Sequence, residues 1–131
     1  MSIAPVNCLL IQLLDEKATL ETTRTIIDQR RQSLANQSGH LYQEYSLKLA
    51  QRNLDENHSE SSEVDSVEEF NWDQFKVEYE AATARLENQD KALETERANL
   101  QTKLEGVTTQ IEGAQKTLQK NTENEMKVLA N

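Results

Sequence analysis

The stretch VNCLLIQLLDEKATLETTRTIIDQRRQSLANQSGHL, residues 6–41, decides the fold. Within it an apolar residue returns every seven positions: Val6, Leu13, Leu20, Ile27, Leu34 and Leu41. An unbroken column at that spacing is the mark of a long amphipathic helix whose one apolar face meets another helix. The companion column reads Leu10, Lys17, Arg24, Arg31, Ser38 and Tyr45, apolar at both ends and basic in its middle. Pro5 suits a first helical turn, with Ser2 upstream as a cap. Gly39 costs about 1 kcal/mol against alanine in a helix interior, but the column keeps phase across it. The spacing therefore predicts one continuous helix over about 4–52.

Downstream the pattern stops. Between Asn53 and Phe70 lie seven acids, four serines and no Lys or Arg. Like charges with nothing to bury predict a mobile acidic hinge loop over about 53–69. A second helix, about 71–128, then announces itself. Asn71 is a cap, Gln74 follows three residues later, and Phe70 can pack on Phe75 as a hydrophobic staple. Its seam reads Trp72, Phe75, Tyr79, Ala82, Leu86, Gln89, Leu93, Glu96 and Leu100, then Leu104, Val107, Ile111, Ala114 and Leu118. The consecutive steps of four, Glu96 to Leu100 to Leu104, predict a stutter there, and Gly106 and Gly113 soften this half.

Composition agrees with an all-α chain. Three glycines and one proline in 131 residues are too few turn formers for a sandwich or barrel. Two helices with single apolar faces cannot stand apart in water. The expected fold is thus a single domain, a long antiparallel two-helix hairpin of coiled-coil type spanning 1–131. Its helix–helix interface is drawn from Val6, Leu13, Leu20, Ile27, Leu34, Leu41, Trp72, Phe75, Tyr79, Leu86, Leu93, Leu100, Leu104, Val107, Ile111 and Leu118. Antiparallel pairing about the hinge sets Arg31 near Gln89–Lys91, Arg24 near Glu96–Arg97, and Lys17 near Glu105.

The net charge is −9, yet outside residues 53–70 acids exceed bases only by two. With no basic cluster beyond Arg30-Arg31, nucleic acid is not an expected partner. The N-terminal apolar run is too short to span a bilayer and lacks a basic flank or cleavage site. Membrane insertion and Sec export are therefore not expected, leaving a cytoplasmic chain or one exported by a leaderless route.

Little in the sequence points to chemistry. Asp55, Asn57 and Ser59 begin like a calcium loop, but Glu60 stands where glycine is needed and Ser66 where a bidentate acid belongs. His58 lacks a second imidazole or thiol for a transition metal. The sequons at Asn36 and Asn57 carry no weight without a secretory signal. Cys8 reads as a small buried hydrophobe. Trp72, Phe75 and Tyr79 read as core packed on Tyr42, Tyr45 and Leu49 in preference to a ligand cradle. Lys17, Arg24 and Arg31 read as partners of acids on the second helix in preference to an anion stripe. No nucleophile–base pair, carboxylate pair or phosphate loop occurs. Neither an enzyme nor a cofactor is expected.

Gln29-Arg-Arg-Gln-Ser-Leu-Ala-Asn-Gln-Ser-Gly-His-Leu-Tyr-Gln-Glu-Tyr45 and Gln89-Asp-Lys-Ala-Leu-Glu94, with the Leu/Ile-spaced tail through Asn121, resemble small uncharacterised helical proteins of bacteria. That resemblance implies a helical fold and no site residues. In architecture, a helical hairpin is also similar to the filament and needle subunits of specialised secretion systems. It differs from needle subunits in lacking a proline at the turn. Two functions follow. The first is a structural, secretion-associated subunit that self-associates into a bundle or filament. Its motive is that the second helix outruns the first, leaving Leu118, Met126, Val128 and Leu129 without an intramolecular partner. The second is a cytosolic adaptor or export chaperone whose exposed seam grips another protein's helix.

Overall fold

The computed structural model describes residues 3–58 and 70–130. They form two helices, α1 (Ile3–His58) and α2 (Trp72–Ala130), which pack antiparallel as an all-α hairpin, with no strand among the described residues. Pro5 is the third helical residue of α1, where a missing N–H costs no intrahelical bond. α1 passes through Gly39 unbroken. It also outlasts its expected end at residue 52 by six residues. Leu54, Asp55 and Glu56 lack the glycine or proline that would stop a helix, so the turn simply continues. The expected acidic hinge loop is thus helical over its first residues. The remainder, 59–69, lies outside the described residues, as does the expected cap at Ser2.

The start of α2 is built by local chemistry. The Asn71 Oδ1 accepts the Gln74 backbone N–H at 3.1 Å, and the Asn71 carbonyl accepts that of Phe75 at 3.0 Å. The Phe70 ring sits edge-on to Phe75 at 5.4 Å, closing the staple. The capping box is only half made. The Gln74 side-chain amide donates forward to Glu78 at 3.2 Å instead of back to the cap. Threonine is a middling helix former, and both helices accommodate it by one device. Thr19, Thr22, Thr23, Thr25, Thr102, Thr109, Thr117 and Thr122 each donate their hydroxyl to the carbonyl four residues earlier.

The hairpin comprises two compact units: Met1–Gln29 with Glu94–Asn131, and Arg30–Leu93. The first, terminal unit is centred on Leu13, Val107, Ile111 and Ala114, with Leu10 and Leu20 packed against them. Val6, Ile27, Leu100 and Leu104 are buried in the same unit. In the second, loop-proximal unit Leu86 alone is buried among the described residues. There the half-buried Leu34, Leu41, Tyr45, Leu49, Trp72, Phe75 and Tyr79 line the contact.

The seam of α2 follows a different path from the one expected at two points. Asp90 and Arg97 are half-buried, whereas Gln89 and Glu96 are exposed. The steps of four therefore fall at Ala82–Leu86–Asp90, and no stutter occurs at Glu96–Leu100–Leu104. Ala82 and Thr83 are both half-buried where the seam changes column. The reason is chemical: Asp90 and Arg97 find charged partners on α1, Arg31 and Asp28.

Candidate interaction surfaces

Of the sixteen interface positions read from the sequence, Val6, Leu13, Ile27, Leu86, Leu100, Leu104, Val107 and Ile111 are buried. Leu20, Leu34, Leu41, Trp72, Phe75, Tyr79, Leu93 and Leu118 are half-buried. None of them is exposed. Ala114, Leu10 and Leu49 share the seam with them.

Polar rungs cross this seam between the apolar layers. In the loop-proximal unit the Arg31 guanidinium meets Asp90 fork to fork, Nε to Oδ1 at 2.9 Å and the second nitrogen to Oδ2 at 3.3 Å. The hydrogen bonds from Arg31 hold the Asp90 carboxyl below its ordinary value of 3.8, outweighing the opposing effect of desolvation, and the positive charge of Arg31 adds a lesser pull in the same direction. In the terminal unit the polarity reverses: Arg97 of α2 donates to Asp28 of α1 at 2.7 Å. Arg24 donates to the Gln101 Oε1 at 3.3 Å rather than pairing with Glu96, which is exposed. Lys17 and Glu105 form no ion pair, since Glu105 lies on the exposed face of α2.

At the loop end, aromatic rings and cations make a second cluster. Tyr45 stacks on Phe75 at 5.8 Å and on Tyr79 at 4.3 Å. The Lys48 Nζ lies 4.9 Å from the Phe70 ring centre and 4.5 Å from that of Phe75, and the Arg52 guanidinium lies 5.0 Å from the Trp72 ring. Such contacts each add about 0.5–1 kcal/mol at exposed sites. Spacing arguments could have flagged them, because Lys48 and Arg52 sit one and two turns beyond Tyr45. Tyr42, expected in this core, is 62% exposed instead. It sits three residues before Tyr45, one step off the buried stripe.

The third surface is apolar and uncovered. Leu9, Ile11 and Leu14 on α1 are 49%, 61% and 46% exposed, and Met126, Val128 and Leu129 on α2 are more exposed still. Cys8 is exposed rather than buried, because it projects from the side of α1 opposite the Val6–Leu13 column. A cleft near the end of α2 is lined by Asn121, Asn124, Glu125, Val128 and Leu129. The Asn121 side-chain nitrogen is shielded there without a hydrogen-bond partner among the described residues.

Among the described residues no group of three or more His, Cys, Asp or Glu side chains could hold a metal ion. No helix there is long and apolar enough to cross a membrane. Asp55 and Asn57, the first residues of the calcium-loop reading, lie on α1, and Ser59, Glu60 and Ser66 lie outside the described residues. Comparison of the chain with protein-family models, with curated proteins and with solved structures finds no match in any of the three.

Proposed function

We propose that this chain is a non-enzymatic structural protein, a helical-hairpin subunit that self-associates into a bundle or filament. One observation carries the reading. Among the described side chains none is fully sealed from solvent, and the least exposed, Ile27, still shows 4% of its surface. Two helices share one face and offer no second layer to close over it. Helices from further copies supply that layer, and apolar side chains left outside the seam give them somewhere to pack. The polar rungs suit such a role, because charged positions in a seam fix register at some cost in stability. On this reading the chain belongs with the small bacterial helical proteins it resembles.

Sedimentation velocity across a hundredfold range of concentration, followed by negative-stain electron microscopy, tests the proposal. Mass that grows with concentration, or regular bundles or filaments, supports it. A chain that stays monomeric throughout overturns it. A monomer that is stabilised only by an added helical protein favours the adaptor reading in its place.

A further inference from the structure

The two units of the hairpin are packed to different standards. The terminal unit holds the cluster of Leu13, Val107, Ile111 and Ala114, and Ile27 and Leu104 are buried in it as well. In the loop-proximal unit Leu86 alone is buried among the described residues. The sequence supplies the reason. One turn to either side of Leu104 on α2 stand Leu100 and Val107, both buried. One turn to either side of Leu86 stand Ala82, Thr83, Gln89 and Asp90, which are small or polar. On α1 the half-buried Leu34 and Leu41 are separated by Ser38, which is exposed. Solvent reaches this layer. A cleft of about 190 Å³ lined by Ala35, Leu86 and Asp90, and one of about 320 Å³ lined by Arg30, Ala92 and Leu93, both border Leu34. Close-packed interiors do not leave such gaps.

What joins the helices in the loop-proximal unit is mostly partly exposed. The Arg31 and Asp90 side chains of the fork are 31% and 40% exposed, and ion pairs open to water add little. The Tyr45 stacks and the cations over Phe70, Phe75 and Trp72 make up the rest. Parting the helices breaks none of the backbone hydrogen bonds within α1 and α2, since each of those closes inside one helix. We propose that the loop-proximal unit is a clasp: it opens and recloses while the terminal unit stays folded. Opening bares the inward faces of both helices, Leu34 to Leu49 on α1 and Phe75 to Leu86 on α2. The chain thereby presents an apolar, aromatic surface reversibly without unfolding as a whole. Few buried apolar side chains and solvent-reached packing are the marks of a region that opens below the global free energy.

Native-state hydrogen exchange of the full chain, in urea below the unfolding midpoint, tests this. Single helical stretches are marginal in water, so amides exchange once the helices part. Burying one apolar side chain already corresponds to about 10- to 100-fold in an equilibrium constant. Amides of 34–49 and 75–90 should therefore exchange about 100-fold faster, or more, than those of 13–27 and 100–111. Their rates should also depend less steeply on urea, because opening one unit exposes less surface than unfolding the chain. A shared rate or a shared urea slope overturns the proposal. Leu104→Ala gives a second arm. It should speed exchange in the terminal unit and leave 34–49 and 75–90 at the parent's rate, whereas equal acceleration of both sets would mean one cooperative hairpin and no clasp. Should Leu104→Ala unfold the chain, the parent's urea series decides alone.

Discussion

Arg31 on α1 and Asp90 on α2 meet through two near-parallel hydrogen bonds, 2.9 Å and 3.3 Å long, in a seam otherwise lined by Leu34, Leu86 and Leu93. This geometry needs a planar fork, so Arg31→Lys should not restore what Arg31→Ala removes. The pair also fixes a sign for pH. The Asp90 carboxyl is held below its ordinary value in the folded chain, so the folded state favours its ionised form. Its contribution is present in full above the ordinary carboxylate value of 3.8 and is lost as pH falls through the lowered folded value. Thermal melts of the parent and Asp90→Asn should therefore differ at pH 6 and converge toward pH 2. A constant difference across that range would show that ionisation of Asp90 does not matter.

Ile27 is the least exposed side chain described, at 4%, and belongs to the terminal unit. Truncating a buried Ile to Ala costs about 2–5 kcal/mol, a large share of the 5–15 kcal/mol typical of a domain. Ile27→Asp should be worse, because an unpaired charge enters the apolar layer. Thr23→Asp is the control. Thr23 is exposed and its hydroxyl bonds only the Thr19 carbonyl of its own helix. Urea unfolding should show Ile27→Asp as the least stable, Ile27→Ala next, and Thr23→Asp within about 0.5 kcal/mol of the parent. An Ile27→Asp midpoint equal to the parent's would mean the column is not a packed face.

The fold was legible because period seven survives every interruption in α1, including Gly39 and the basic companion column. The companion column of α2 was less so. Hydropathy cannot choose between Gln89 and Asp90, or between Glu96 and Arg97, since all four are polar. The choice is made by what stands opposite, Arg31 and Asp28, which a single helix's pattern does not contain. The same limit explains Cys8 and Tyr42. Residue type alone does not say which side of a helix turns inward. The Lys48 and Arg52 contacts were missed for another reason: cations register as solvated charge until an aromatic ring is placed beneath them.

Gly106 and Gly113 lie on α2 with open space where a Cβ would stand. Neither position needs glycine to avoid a clash within the chain. Gly106→Ala and Gly113→Ala should each stabilise the hairpin by about 0.5–1 kcal/mol, through reduced freedom of the unfolded chain and better helix propensity. The two effects should add, because the positions are two turns apart and share no partner. Guanidinium unfolding of the single and double variants measures this. A loss of stability at either position would mean that the glycine admits a close neighbour from outside the chain.

Tyr45 joins the two helices of the loop-proximal unit through two ring stacks. Leu86 is the one side chain buried in that unit among those described, and Tyr45 stacks on both Phe75 and Tyr79. Aromatic pairs are worth about 0.5–1.5 kcal/mol each beyond the area they bury. Tyr45→Ala should therefore destabilise that unit by about 1–3 kcal/mol, and Tyr45→Phe, which keeps both stacks, by much less. Hydrogen exchange reads the effect locally. In Tyr45→Ala, amides around 41–49 and 75–83 should exchange faster, while those around Leu13 and Ile111 keep the parent's protection. The contrast follows from where the packing lies, since the terminal unit has its own cluster of Leu13, Val107, Ile111 and Ala114. A uniform loss of protection across both units would show instead that the hairpin opens as one cooperative element, with Tyr45 contributing to global stability.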